Sequence, residues 1–167
     1  MILALFSGIL CCQNQKELKD QKAKEEGEQY EVTRMLLDSG SFEFNAEWAT
    51  SFQGVRVNLV TNPNYLRIDP EKASIYLPYL GVAHTSNEAF SSTGGIVFEG
   101  RLENYQLKAN DKKKQFNLQF RCRAQSEILD FDMLVYANGS ARVNANSSTR
   151  TSVKYLGKIK AGDSGEQ

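Results

Sequence analysis

The chain has 167 residues with 20 basic and 20 acidic side chains, so its formal net charge is zero. This balance argues against the strongly basic class of nucleic-acid-binding proteins, and it provides no attraction to an anionic membrane surface. The length corresponds to about one domain with one core, and the hydrophobic fraction of 41% is typical of a soluble globular protein.

The chain begins with an apolar run at residues 2–10, interrupted only by one serine and one glycine. The run is too short to span a bilayer, but it has the length of a signal-peptide apolar region. A cysteine directly after such a run is typical of a bacterial lipoprotein signal. We predict Cys12 as the lipidated residue, with Cys11 as the alternative, because Cys11 follows the bulky Leu10. The segment 1–12 is therefore interpreted as a lipoprotein-type signal; the other interpretation is a buried N-terminal element.

Residues 13–28 are almost entirely polar and charged, with Leu18 and Ala23 as the only apolar side chains. Opposite charges spaced four residues apart allow transient helix, but two apolar residues cannot define a buried face. We predict a solvated tether between membrane and domain.

The next residues predict one short helix that ends near Gly40. Val32, Met35 and Leu36 follow a helical spacing, and Tyr30 and Leu37 lie one heptad apart. We expect this apolar stripe to pack on the following domain.

From residue 41 onward the hydrophobic period changes to two, which indicates antiparallel strands with one buried and one solvated face. The predicted buried sets are Phe42, Phe44, Ala46 and Trp48; Val55, Val57 and Leu59; Phe116, Leu118, Phe120 and Cys122; and Ala141, Val143 and Ala145. Turn residues at 69–72, 110–114 and 138–139 separate these strands.

This pattern predicts an all-β fold: an antiparallel barrel or two-sheet sandwich of about eight strands, with one N-terminal helix. We assign residues 29–160 to the β domain and residues 161–167 to a flexible tail.

No stretch carries a recognisable catalytic or cofactor motif. His84 is the single histidine, and the nearby serines lack the spacing of a nucleophile elbow, so we interpret it as a loop residue. Asp130 and Asp132 share one strand face but are too few for a calcium site. Cys122 is predicted to be a buried, inert thiol. We expect no metal and no cofactor.

The stretch at residues 73–81 has apolar or aromatic side chains on both predicted faces. Pro78 cannot donate to a β-ladder, so it requires an edge position or a bulge. Structural packing of a bent strand is the first interpretation. The second is that Tyr76 and Tyr79 contact a ligand or a partner, since tyrosine has an apolar body and a polar tip.

The order FEFNAEWA, VNLVTNPNYLRI, ASIYLPYLGVAH, GGIVFEG and NGSARVNANSSTRTSVKYLGKI resembles the domain of unknown function 4251, over roughly residues 42–159. Its most specific pieces are YLPYLG and the closing segment. Members are exported, often lipid-anchored proteins of Bacteroidetes. The resemblance implies a lipocalin-like all-β domain in the cell envelope, and it implies no reaction.

Together these observations predict a non-enzymatic envelope protein, held at the membrane by an N-terminal lipid, that binds a small apolar or amphiphilic ligand or an envelope partner. The alternatives are an envelope hydrolase with unidentified acidic residues and a purely structural interaction module.

Overall fold

The computed structural model describes residues 7–80, 95–125 and 127–162, with side chains from Glu17 onward. Within these ranges one helix precedes nine strands. The elements are α1 (Ser7–Asp38), β1 (Phe42–Ser51), β2 (Arg56–Asn58), β3 (Tyr65–Asp69), β4 (Lys72–Pro78), β5 (Gly95–Asn110), β6 (Gln115–Arg123), β7 (Ile128–Tyr136), β8 (Ser140–Ser147) and β9 (Val153–Ala161).

The strands form a closed antiparallel barrel. Each strand from β3 to β9 pairs with the next, β3 also pairs with β1, and β1 pairs with β9 to complete a ring of eight strands. The short β2 lies outside this ring and pairs only with the second half of β1. The prediction of an all-β fold with about eight strands is confirmed, and the barrel is the correct one of its two versions.

Alternating side chains of the ring strands fill the barrel. The predicted buried sets on β6 and β8 are confirmed, since Phe116, Leu118 and Val143 have at most 1% of their surface exposed. The same alternation buries Leu129, Phe131, Met133 and Val135 on β7. Asp130 and Asp132 share one face of that strand, as predicted, and it is the outer face.

Trp48 departs from the predicted alternation. The register of β1 against β9 shifts between Ala46 and Trp48, which is a β-bulge. A bulge adds one residue and moves the following side chains to the opposite faces. Ala49 therefore takes the buried position, and Trp48 is half-buried on the outer face with the Arg56 guanidinium 4.3 Å from its ring centroid.

The predicted burial of Val55 and Val57 is wrong. Both side chains are exposed, and only Leu59 of that set is buried. The reason is that β2 has three residues and a single partner strand, so no second layer covers it.

Pro78 is the last residue of β4, which is an interior strand and not an edge strand. Pairing with β3 stops at Tyr76, whereas pairing with β5 continues to Pro78. The missing N–H of the proline therefore falls where the strand has lost one of its two neighbours, which satisfies the physical requirement without a bulge.

The helix is longer than predicted and buries only part of the predicted apolar stripe. It runs for 32 residues, because residues 13–28 are rich in Lys, Glu and Gln, which favour helix, and contain no proline. Tyr30, Thr33 and Leu37 are buried, whereas Val32 and Met35 are 62% and 64% exposed. The segment predicted as a tether is thus helical, with almost all of its described side chains exposed.

The buried face of α1 covers one end of the barrel. The Tyr30 ring stacks on Phe116 with 4.7 Å between centroids, and the Thr33 hydroxyl donates to the carbonyl of Ala137 at 2.7 Å. Tyr30 also donates to Asp111 in the β5–β6 turn at 2.6 Å. The helix therefore closes the end at which β5 meets β6 and β7 meets β8.

Candidate binding site

The barrel interior holds packed side chains. The inward residues of the ring strands are buried, except for the partly buried Leu102 and Leu107 on β5, and Tyr155 on β9 lies among them with none of its surface exposed. Its hydroxyl donates to the carbonyl of Pro78 at 2.8 Å, and burial raises the pKa of Tyr155 above its usual value. An interior of this kind leaves no space of ligand size next to the described side chains.

A buried ion pair lies at the barrel end opposite α1. The Arg150 Nε atom is 2.8 Å from the Glu127 carboxylate, and both side chains are almost fully buried. The same carboxylate accepts hydrogen bonds from Ser147 at 2.9 Å and Thr149 at 2.7 Å. Glu127 is thereby committed to four donor atoms, one at the end of β8 and three in the β8–β9 connection, an arrangement that fixes this connection in place.

Tyr79 belongs to this end of the barrel. The Arg150 guanidinium lies 5.2 Å from its ring centroid, and its hydroxyl is 2.9 Å from Thr151 Oγ1. Tyr76 lies elsewhere, on the outer face, with its ring 6.1 Å from that of Tyr65. The structure does not bring the two predicted contact residues together, and their role in binding stays a prediction.

A cleft of about 500 Å³ is present on the outer face of the barrel. Its volume is within the range of small-molecule sites. The side chains that line it alternate along each strand with the buried core residues, which places the cleft outside the barrel wall. From the outer face of β6 to that of β9 and β1, the lining residues are Asn117, Gln119, Asp132, Leu134, Arg142, Asn144, Lys154, Leu156 and Thr50, and the buried Leu118 and Met133 also border the cleft.

Strand register arranges these side chains in two adjacent rows that cross the strands. In the first row Leu156 is opposite Arg142, which is opposite Leu134. This row therefore places one leucine side chain on each side of the Arg142 guanidinium. The second row runs from Lys154 through Asn144 to Asp132 and is entirely polar.

The basic and acidic side chains of the cleft lie on different strands. Arg142 and Lys154 are exposed cations on β8 and β9, and neither has an ion-pair partner among the described residues. Asp132 on β7 accepts from the Gln119 amide at 2.7 Å and from the Asn146 amide at 3.4 Å. One side of the cleft is therefore basic and the other acidic.

Asn144 lies between the two sides. Its amide oxygen is buried and has no hydrogen-bond partner within the described part of the protein. An unpaired buried acceptor costs about 1–3 kcal/mol, so such an atom is uncommon in a region with only a packing role.

Sequence reasoning did not find this cleft. Leu134 and Leu156 occupy positions that the period of two assigns to the outer, polar face, and this mismatch is the signal that could have indicated them. The sequence alone does not place these two leucines on either side of Arg142, because their strands meet only through the intervening β8.

The other residues considered from the sequence are the three cysteines, the possible metal ligands and His84. Cys122 is fully buried, and burial raises the pKa of its thiol to about 12. Across the described ranges, acidic, histidine and cysteine side chains form no group of three that could hold a metal. His84 and the side chains of Cys11 and Cys12 lie outside the described residues.

Within the part of the chain that the structure covers, no helical segment has both the length and the apolar character required to cross a bilayer.

Comparison with known proteins identifies the family. The model of the domain of unknown function DUF4251 matches residues 24–159. A solved structure of a DUF4251 family protein from Bacteroides eggerthii is similar in fold, with a TM-score of 0.60 and 13% identity, covering 80% of this chain and 87% of that one. None of the curated proteins matches the chain. The family predicted from the sequence is confirmed, and the chain belongs to the DUF4251 family.

Proposed function

We propose that this protein is a non-enzymatic binding protein of the cell envelope, anchored by a lipid on Cys12, that holds a small amphiphilic ligand in the outer cleft of β6–β9. The observation that carries the proposal is the contrast between a filled barrel interior and an outer cleft of about 500 Å³ with apolar and charged walls. A carrier that uses its barrel interior needs space there, and the packed side chains of this barrel occupy that space.

The buried carboxylate of Glu127 favours a non-enzymatic role. Glu127 accepts hydrogen bonds from Ser147 and Thr149 and forms a buried ion pair with Arg150. A carboxylate engaged in this way is a poor general base, because its lone pairs are already occupied.

Co-purification tests the binding role. The full chain is expressed in a bacterial host and its mass is measured under native conditions, beside Leu134→Asp in the cleft and Val97→Asp as the matched control. Val97 is an exposed apolar residue on the outer face of β5 and does not line the cleft. We expect a bound small molecule in the wild-type chain and in Val97→Asp, and its loss in Leu134→Asp. Retention of the molecule in Leu134→Asp would contradict the cleft as its site.

The anchor is tested by metabolic labelling with an alkyne-bearing palmitate. We expect Cys12→Ala to abolish labelling and Cys11→Ala to retain it. The reverse result would assign the lipid to Cys11, and labelling of neither parent chain nor variant would overturn the anchor.

A second candidate function is docking of an envelope protein through the β1–β2 hairpin. Phe52 at its tip is 77% exposed, and Val55 and Val60 are exposed beside it. Residues 48–66 contain no acidic side chain and Arg56 as the single basic one, so the hairpin is a largely apolar surface on a protein that is otherwise rich in charge. Photo-crosslinking from position 52 in intact cells tests this function, with position 72, which is exposed at the opposite end of the barrel, as the control.

A further inference from the structure

We infer that the ligand of the outer cleft is a short peptide with a free carboxylate, a free amino group and apolar side chains. The inference rests on the proposed function, because it assumes that the cleft is the binding site.

The basic side of the cleft suits a carboxylate. Arg142 and Lys154 lie on adjacent strands, two residue pairs apart along the ladder, and neither is used by an ion pair among the described residues. The Asn144 amide directly opposite Lys154 adds a nitrogen donor that has no acceptor in the same part of the protein. Two cations and an amide donor around one space are the groups that bind a carboxylate by charge-assisted hydrogen bonds.

The acidic side suits an ammonium group. Asp132 receives two neutral amide donors, from Gln119 and Asn146, and no cation pairs with it in the described residues. A carboxylate has about four acceptor positions, so two amides leave room for a further donor. An ammonium group of a ligand would supply both that donor and the missing positive charge.

The separation of the two sides fits about three residues of peptide. Lys154, Asn144 and Asp132 are consecutive partners on three neighbouring strands. Strands lie about 4.8 Å apart, so the Lys154 and Asp132 backbones are about 10 Å apart. An extended peptide spans about 3.3–3.6 Å per residue, which gives about 10 Å for a tripeptide.

The apolar residues beside this row favour apolar peptide side chains. Leu134 and Leu156 lie in the row next to Asp132 and Lys154, on either side of Arg142. A peptide lying across the strands would therefore contact Lys154 and Asp132 with its ends and the two leucines with its side chains. A fatty acid offers the carboxylate and the apolar part, but it would cover the Asp132 carboxylate without supplying a positive charge, and burying an unpaired charge is costly.

Isothermal titration of the full chain tests the inference with four probes: tri-leucine, its C-terminal amide, its N-acetyl form and laurate. We expect tri-leucine to bind, the amide to bind about tenfold more weakly, and the double variant Arg142→Glu, Lys154→Glu to lose binding. The double variant Lys22→Glu, Lys72→Glu is the matched control, since it makes the same charge change of four units at exposed positions outside the cleft. The affinity of this control variant for tri-leucine is expected to stay within about twofold of that of the wild type.

The acidic side has its own readout. Asp132→Asn should lower the affinity for tri-leucine several-fold. It should leave the affinity for N-acetyl tri-leucine unchanged, because that probe has no ammonium group to pair with Asp132. Equal losses for both probes would assign Asp132 a structural role and overturn the inference.

The probes also distinguish the inference from the function on which it rests. Binding of laurate without tri-leucine would overturn the peptide and keep the cleft as a site for amphiphiles. If neither probe binds and no molecule co-purifies, both proposals fail.

Discussion

Burial controls the chemistry of Cys122, the one cysteine whose side chain lies within the described part of the structure. Cys122 lies on β6 with no exposed surface, and its desolvation, followed by the nearby charges of Glu103 and Asp130, raises the pKa of the thiol to about 12. At pH 8 only about one thiol in ten thousand is then ionised, and the thiolate is the reactive form. We expect no reaction with Ellman's reagent at pH 8 over several hours in a chain whose Cys11 and Cys12 are replaced by serine.

The control for Cys122 is Ser148→Cys in the same background. Ser148 is exposed, so its replacement should react within minutes. In denaturant both thiols should react at the same rate. A native Cys122 that reacts as fast as the exposed thiol would contradict the buried, inert assignment.

A second residue-scale case is Glu43 on β1, whose carboxylate is buried on the outer face. Arg67 Nη2 lies 2.6 Å from Oε2, and Lys160 Nζ lies 3.1 Å from Oε1. Burial acts to raise the pKa of Glu43, but the hydrogen bonds from Arg67, Asn45 and Lys160 outweigh it, so the pKa is lowered below 4.5.

This pKa gives a pH-dependent contribution to stability. Because the folded-state pKa lies below the unfolded value, the contribution is fully present above about pH 5 and is lost as the pH falls through the folded pKa. We expect Glu43→Gln to lower the free energy of unfolding by about 1–3 kcal/mol at pH 7, and this difference to shrink below pH 4.5. Urea unfolding of both chains from pH 7 to pH 3 measures it. A difference that is constant over this range would contradict the assignment.

At the scale of the strand, sequence periodicity predicts which side chains face the core only while pairing stays regular. Phe116, Leu118 and Val143 lie on regularly paired parts of their strands, and their burial was predicted correctly. Trp48 was misplaced because the β1 bulge adds one residue, and no local pattern announces a bulge. The alternation in β2 was present but had no second layer to pack on, which depends on the whole sheet.

The turn after β7 is a further case in which the sequence predicts an element but not its exact backbone geometry. Asn138 and Gly139, two residue types that tolerate a positive φ, predicted a turn here, and the hairpin between β7 and β8 is confirmed. Only Gly139 has a positive φ, of 74°, and its N–H donates to the Tyr136 carbonyl at 3.0 Å. This is the geometry of a three-residue loop, in which the glycine alone takes the left-handed conformation.

The contact between β1 and β9 at this bulge requires a glycine. A Cβ atom on Gly157 would lie 2.0 Å from the Asn45 carbonyl oxygen and 2.9 Å from the Ala46 Cα atom. Both neighbours are backbone atoms, so β1 would have to move. We expect Gly157→Ala to destabilise the fold by about 2–3 kcal/mol, measured as a lower midpoint of urea unfolding.

Gly27 provides the matched control for that substitution. It lies inside α1, and a Cβ atom there would meet nothing within 4 Å. Gly27→Ala should therefore raise helicity and stability by up to about 1 kcal/mol. Equal effects of the two substitutions would contradict the argument that close backbone contact constrains residue 157.

At the scale of the whole molecule, the candidate site exists only after the ladder has formed. The cleft takes side chains from β1 and from β6 to β9, and Lys154 meets Asp132 only through the intervening β8. Sequence reasoning instead selected Tyr76 and Tyr79, which are close in the chain. Proximity along the chain is a weak guide in a barrel, because neighbouring residues on a strand face opposite sides of the wall.

The closure of the barrel by α1 is the last feature that depends on the whole molecule. Tyr30 stacks on Phe116 and Leu37 is buried in the core, whereas the contact of Glu26 with Lys114 is an exposed pair worth at most about 1 kcal/mol. The free energy of unfolding of a chain that starts at residue 28 should therefore lie within about 1 kcal/mol of that of the full chain.

A chain that starts at residue 41 loses Tyr30 and Leu37. Its free energy of unfolding should be lower by at least about 3 kcal/mol, since removal of one buried leucine side chain alone costs about 2–5 kcal/mol. Urea unfolding of the three chains, followed by circular dichroism, measures both steps. A large loss in the chain from residue 28 would mean that the exposed half of α1 belongs to the cooperative unit; no loss in the chain from residue 41 would mean that the barrel is stable with that end open.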